Sequence, residues 1–311
     1  MSTPRDRLRA NLLLLAVVLV WGATFVIVKG ALADASPTLF NLIRMALACG
    51  FLLAVYRPRF QDVERRQWIG GVAVGALLAA GYQFQTIGLE FTTASKSAFI
   101  TGALVVMVPL FSGVLWLANR WAGSSFRDDD FFPGPRAFLG AALAFAGLAV
   151  LTLPAGPSVA ATLRGINPGD ALTFGCAIAF AIHILVMSRV ARFTGWRMLA
   201  ILQSGFAAVF LTGCLPFFGK PFLHWTPRLA IALAITAILA TAVAFAVQSY
   251  AQSILPPTNI ALLMTLEPVF AWITSYLVLG ERLGVRGGIG AAMVIGGILV
   301  TELRWGNFSK N

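Results

Sequence analysis

An acid sits beside a proline in the middle of an apolar stretch, TNIALLMTLEPVFAWITSYLVLGERL, residues 258–283. If a helix begins near Thr258, Glu267 lies about 14 Å along it, close to half the depth of a hydrocarbon layer roughly 30 Å thick. A carboxyl group at that depth has to be paired, protonated or turned towards water. Pro268 cannot donate a backbone N–H, so an upstream carbonyl is freed at the same level. Two roles are open to Glu267. It contacts a substrate or a coupled proton, or it ties spans together through hydroxyls such as those of Thr241 and Thr265.

Other groups invite the same question. Lys29, Arg44, Glu90 and Lys96 fall at or towards one end of their apolar segments, where they would form a cationic vestibule that attracts carboxylates. The alternative is that the two lysines reach out to the interface while Arg44 pairs with Glu90. His183 has the chemistry of a proton carrier, or is simply hydrogen-bonded inside a bundle. Gln83, Gln85, Gln248, Tyr250 and Gln252 either line a wet cavity or join helices. Trp21, Phe25, Tyr82 and Trp272 would wall an amphipathic substrate, or serve as core and lipid-facing rings. No phosphate-binding GxxxxGK[ST] loop, HExxH zinc motif or catalytic serine motif occurs, which argues against ATP coupling, hydrolysis and enzymatic activity in general. Cys49, Cys176 and Cys214 have no CxxC spacing and no ligand cluster, so no metal and no cofactor is expected.

The elements that would hold these groups are spelled out by composition. Of 311 residues, 59% are hydrophobic and 11% charged, too little polar surface to cover a soluble globule. Apolar runs near the ~20 residues of a bilayer crossing lie at approximately 11–32, 37–56, 68–89, 94–118, 137–153, 170–190, 196–218, 228–250, 258–279 and 286–303. Arg5, Arg7 and Arg9 before the first run, with Ala31-Leu32-Ala33 after it, imitate a secretory signal, but the run is too long for a signal core. The net charge of +11 sits mostly in connectors, as in membrane topology signals and not as in a nucleic-acid-binding surface.

Ten spans place both termini on one side. That side carries fifteen lysines and arginines and the other seven, with Arg44 left inside a span. The positive side is expected to be cytoplasmic, in a bacterial inner membrane. The triplet Asp128-Asp129-Asp130, with Arg127 and Pro133, reads as a solvated cytoplasmic loop.

The two halves of the chain match each other. A shift of 159 pairs Trp21 with Phe180, Arg44 with Gln203, and Pro109 with Pro268. A shift of 163 pairs Gln85-Thr86 with Gln248-Ser249, and a shift of 150 pairs Arg136-x3-Gly140-Ala141-Ala142 with Arg286-x3-Gly290-Ala291-Ala292 and Gly147 with Gly297. Between the shifts of 163 and 159, the fourth span carries four residues that the ninth lacks, about one helical turn. Repeats of five spans, an odd number, enter the membrane from opposite sides and are therefore inverted. The expected units are 1–153 and 170–311, joined by a linker at 154–169, with Pro109 and Pro268 as repeat-related hinges. Such an architecture suits a carrier that opens one site to each side in turn. Gly71-x3-Gly75 and the glycines of spans 5 and 10 permit close helix packing, within a monomer or between two copies.

Four strings, WGATFVIVK (21–29), QTIGLEFTTASKSAFITG (85–102), AFAVQSYAQSILPPTNIALL (244–263) and LEPVFAWITSYLVLGERL (266–283), resemble the EamA family of the drug/metabolite transporter superfamily. The resemblance runs over nearly the whole chain as two tandem units. It departs from the family pattern at Pro256-Pro257-Thr258, where the ninth helix begins. It implies an all-α integral membrane carrier of ten helices around a central cavity, exporting small metabolites, often amino acids. Its partners would be a small-molecule substrate, the lipid bilayer and, if coupling is used, protons. The alternative from another class is a membrane receptor or scaffold that has the fold without transport. The candidate substrate or coupling residues are Glu267, Arg44, Gln85, Gln248, Lys29, His183, Tyr82 and Trp21.

Overall fold

A computed structural model describes residues 3–121, 135–152, 168–279 and 284–302. These are almost wholly helical. Helices α1 (Pro4–Ala31), α2 (Pro37–Tyr56), α3 (Arg65–Phe91), α4 (Ala94–Gly102), α5 (Leu104–Trp121) and α6 (Pro135–Thr152) come from the first half. The second half supplies α7 (Pro168–Thr194), α8 (Trp196–Cys214), α9 (Pro227–Ala234), a π-helical stretch (Ile235–Val243), α10 (Ala244–Gln252), α11 (Pro257–Met264), α12 (Glu267–Leu279) and α13 (Val285–Glu302). Among the described residues, eight segments are long and apolar enough to cross a bilayer, with α4–α5, α9–π–α10 and α11–α12 each forming one of them. Helices α6 and α13 are 18 residues each and pack on one another. The loop of Asp128, Asp129 and Asp130, most of the linker and the C-terminal tail lie outside the described residues.

Capping explains why several helices outrun their apolar runs. Thr3 and Asp6 form a capping box before α1, and Glu64 and Gln67 do the same before α3. Proline occupies the first helical position of α1, α2, α9 and α11, where its missing N–H has no intrahelical acceptor to lose. The Pro256-Pro257 departure is such a start: Pro256 is the N-cap and Pro257 opens α11.

The segments α4–α5 and α11–α12 are interrupted, though not identically. The break between α4 and α5 falls at Ala103, whose carbonyl accepts from the N–H groups of both Val106 and Met107. The break between α11 and α12 falls at Thr265 and Leu266. Under the shift of 163, Ala103 corresponds to Leu266; under the shift of 159, Pro109 corresponds to Pro268. The four extra residues of the first half therefore lie between the break and the proline. Pro268 stands in the first turn of α12, directly after its break, whereas Pro109 is carried inside α5, nearly two turns beyond Ala103. The interruption in the fourth span is thus at Gly102-Ala103 and not at the proline, consistent with the low helix propensity of glycine.

The packing follows a two-fold pattern. Helix α1 packs on α12 as α7 packs on α5, and α3 packs on α7 as α1 packs on α10. Helices α6 and α13 cross reciprocally. A Cβ on Gly147 would meet the Gly290 carbonyl oxygen at 2.7 Å, and one on Gly297 would meet the Gly140 oxygen at 2.5 Å. The second contact is the first with each residue replaced by its partner under the shift of 150.

Candidate functional site

A cavity lies between the halves, with ≈ 570 Å³ of atom-free space when its open mouth is counted, lined from α1, α2, α3, α4 and α5 on one side and from α7, α10, α11 and α12 on the other. Its walls are aromatic in symmetry-related pairs. Trp21 meets Phe245 with ring centroids 5.5 Å apart, and Phe180 meets Tyr82 at 5.4 Å. Trp21 corresponds to Phe180 and Tyr82 to Phe245, so one pair is the image of the other. Gln85 and Gln248, also repeat-related, both line the space.

Charge breaks this symmetry. Arg44, 2% exposed, donates from Nε to the Thr241 hydroxyl at 2.6 Å, and from Nη2 to the Tyr82 hydroxyl at 3.0 Å and the Ala240 carbonyl at 3.3 Å. Its guanidinium also lies 4.1 Å from the Tyr82 ring centroid, a cation–π contact. All these partners are neutral. Arg44 forms no ion pair among the described residues, and Glu90, the acid offered for it by sequence, is exposed.

The π-helical stretch makes this coordination possible. Widening a helix to i→i+5 bonding displaces carbonyls from the regular ladder. The Ala240 oxygen accepts from Trp21 Nε1 at 2.8 Å as well as from Arg44, and the Thr241 hydroxyl donates to the Thr236 carbonyl at 2.7 Å. Nothing in the sequence of Ile235–Val243, apolar but for Thr236 and Thr241, announces a π-helix. Ala240 is the neighbour that sequence reasoning missed, and Thr241, suggested there as a partner of Glu267, bonds Arg44 instead.

Glu267 is 7% exposed and lines the same cavity from the first turn of α12. It forms no ion pair among the described residues. The hydroxyls suggested for it are engaged elsewhere, Thr241 with Arg44 and Thr265 with the Leu262 carbonyl at 2.6 Å. The Gly22 backbone lies against the Glu267 carbonyl, leaving no room there for a side chain. One buried arginine from the first half and one buried carboxyl group from the second therefore share one space, each without an ionic partner among the described residues.

The remaining candidates divide. His183 lines the cavity, with Nε2 3.1 Å from the Gln203 carbonyl oxygen, while the Gln203 amide donates to Ser249 at 3.2 Å. Gln85 donates to Thr101 at 3.4 Å, and the buried Gln248 oxygen has no hydrogen-bond partner among the described residues. Lys29 is outside the cavity, donating to the Leu89 carbonyl at 2.9 Å and to the Thr92 carbonyl at the end of α3. Lys96 pairs with Asp170 at 2.5 Å, and Trp272 lies tilted against Tyr276, away from the site. Gln83 bonds Thr38 instead of facing the cavity.

At the Lys29 end the halves are clasped. Asp34 takes the Arg228 Nε and the Thr226 hydroxyl, each at 2.8 Å, and Asp170 accepts from Thr92 at 2.8 Å in addition to Lys96. The main chain joins them as well: Ser36 N–H donates to Phe222 and His224 N–H to Asp34. Arg228 and then Thr226 hold the Asp34 carboxyl below the usual carboxylate range.

The sequence profile of the EamA-like transporter family matches residues 8–121 and 167–303. The chain belongs to that family. A transporter of undefined function from Archaeoglobus fulgidus is 35% identical over 299 residues, covering 96% of this chain and 87% of its own length. The threonine/homoserine exporter RhtA of Escherichia coli K12 is 30% identical over 247 residues, 78% of this chain and 73% of its own. A protein solved by crystallography superposes with a TM-score of 0.73 at 17% identity, over 95% of this chain and 98% of the other, a likeness of fold alone. An EamA-like transporter is a multi-pass membrane protein that moves a small molecule and is not an enzyme, and the helices and cavity described above fit that description.

Proposed function

We propose that this EamA-like transporter exports small polar or amphipathic metabolites, amino acids foremost, across the cytoplasmic membrane by alternating access. The reading rests on Arg44 and Glu267 in one aromatic-walled cavity. A zwitterion satisfies both: its carboxylate takes Arg44 and its ammonium takes Glu267, while a modest side chain packs among Trp21, Phe180 and Phe245. The RhtA relative supports the amino-acid class.

The carrier comprises ten spans in two inverted five-helix repeats, with both termini cytoplasmic. The reciprocal glycine contacts, the paired aromatic contacts and the two profile matches support the repeats, and the fifteen-to-seven lysine and arginine bias supports the orientation. Helices α5 and α12 bend about Pro109 and Pro268 as the cavity changes sides. Proton and substrate ammonium compete for the Glu267 carboxylate, so a proton leaves as substrate arrives and export is exchanged for proton entry.

Counterflow of labelled threonine, homoserine and larger amino acids into proteoliposomes tests the function. A saturable flux competed by unlabelled amino acids is expected. No saturable flux for any of them would favour a non-transporting receptor or scaffold.

A further inference from the structure

A second cleft lies on the flank of the bundle, at the end that holds the N-terminus. Leu13 of α1, Phe51 and Val55 of α2, and Ala242, Val243 and Ala246 of the eighth span wall ≈ 780 Å³ of atom-free space. Val55 is 54% exposed and Val243 42%. Both belong to helices apolar and long enough to cross a bilayer, so the mouth opens on hydrocarbon. From Tyr250 to Ala242 the cleft follows the eighth span for about 12 Å. The span also separates it from the central cavity, because Phe245 and Gln248 face the cavity while Ala246, Val247 and Tyr250 face the cleft.

The rim of this slot is different in kind. Tyr56, Trp196 and Tyr250 form an edge-to-face cluster, with centroids 5.7 Å apart between the first two and 6.1 Å between the last two. The Arg197 guanidinium lies 5.0 Å from the Trp196 ring and 5.6 Å from the Tyr56 ring. Arg9 lines the same rim, and its neighbour Asp6 is occupied by the Thr3 capping box. Neither arginine is ion-paired among the described residues. Two cations above an aromatic collar, over an apolar slot open to hydrocarbon, are complementary to an amphiphile with an anionic head and an acyl tail.

We propose that this cleft binds one anionic phospholipid, its acyl chain in the slot and its phosphate group between Arg9 and Arg197. The slot accepts the tail of any lipid, so the head sets the choice. A zwitterionic head carries its own ammonium and gains less from the two arginines. The inference does not depend on the transport reading, since it uses none of the cavity residues.

Native mass spectrometry of the full chain in detergent, with phosphatidylglycerol or phosphatidylcholine of the same acyl chains, tests it. The tightest-held lipid should be phosphatidylglycerol, preferred by roughly fivefold or more. The doubly substituted Arg9→Gln/Arg197→Gln protein, altered only at exposed positions, should bring that ratio near one. Val55→Trp, which fills the mouth, should lower retention of both lipids. Equal retention of the two lipids by the unsubstituted protein, or an unchanged preference after the double substitution, overturns the proposal.

Discussion

Arg44 lies with its guanidinium 4.1 Å from the Tyr82 ring centroid and bonds the same residue's hydroxyl at 3.0 Å, so one tyrosine from α3 fixes the cation in the cavity wall. The Tyr82 ring is itself held edge-on by Phe180 and Phe245. The charge is therefore placed by aromatic packing and neutral acceptors, which leaves it unneutralised for a substrate.

Replacing Arg44 with glutamine should raise the KM for amino-acid flux by about 30-fold or more, since truncating a buried charged contact costs about 2–5 kcal/mol. Tyr82→Phe removes one hydrogen bond, keeps the ring face, and should cost about 1 kcal/mol, or roughly fivefold. Concentration-dependent counterflow separates the two. Equal kinetics for Arg44→Gln and the parent would remove Arg44 from the site.

Glu267→Gln keeps the shape and loses the exchangeable proton. Flux in proteoliposomes should become independent of an imposed pH gradient, with a raised KM for substrates that carry an ammonium. Full pH-dependent flux in this variant would end the proton role.

The clasp at the Lys29 end predicts a gate. Because Arg228 depresses the Asp34 carboxyl, its stabilising contribution is complete above the ordinary aspartate value near 3.9 and disappears as pH falls through the lower folded value. Relaxation of a spin label on a Leu89→Cys probe by a neutral water-soluble paramagnet, in a background without Cys49, Cys176 and Cys214, should therefore stay constant from neutral pH to about 4 and rise in stronger acid. Arg228→Ala should raise it at neutral pH by up to roughly fivefold, as expected for a partly exposed ion pair.

Gly147→Ala and Gly297→Ala should each destabilise the protein by about 1–3 kcal/mol, because the added carbon meets backbone, which cannot turn aside as a side chain can. Thermal unfolding in detergent reads this. Gly288→Ala on the same helix, where a Cβ meets nothing within 4 Å, is the control and should be neutral or stabilising.

The bilayer constrains its helices so strongly that much of this architecture is legible in one dimension. Eight apolar runs correspond to span-length helices, and the shifts of 159 and 163 locate the extra turn between Ala103 and Pro109 to within a few residues. The site was legible in part. Trp21, Arg44, Tyr82, Gln85, His183, Gln248 and Glu267 all line the cavity, because a polar or titratable group in an apolar span has few affordable positions. Lys29 was not separable from them by sequence, since a lysine near a helix end serves a vestibule or a carbonyl cap equally well.

What the sequence determined by itself is the family, the membrane class and the inequality of the two halves: Arg44 is matched by Gln203, and Glu267 by Val108. Those follow from residue types along a chain whose solvent is hydrocarbon. The tertiary structure decided which charges remain unneutralised. Lys96 finds Asp170, and Arg228 finds Asp34, whereas Arg44 is given Tyr82, Thr241 and a carbonyl of the π-helical stretch. Whether a charge is compensated depends on distances between helices remote in sequence, and no spacing along the chain encodes them.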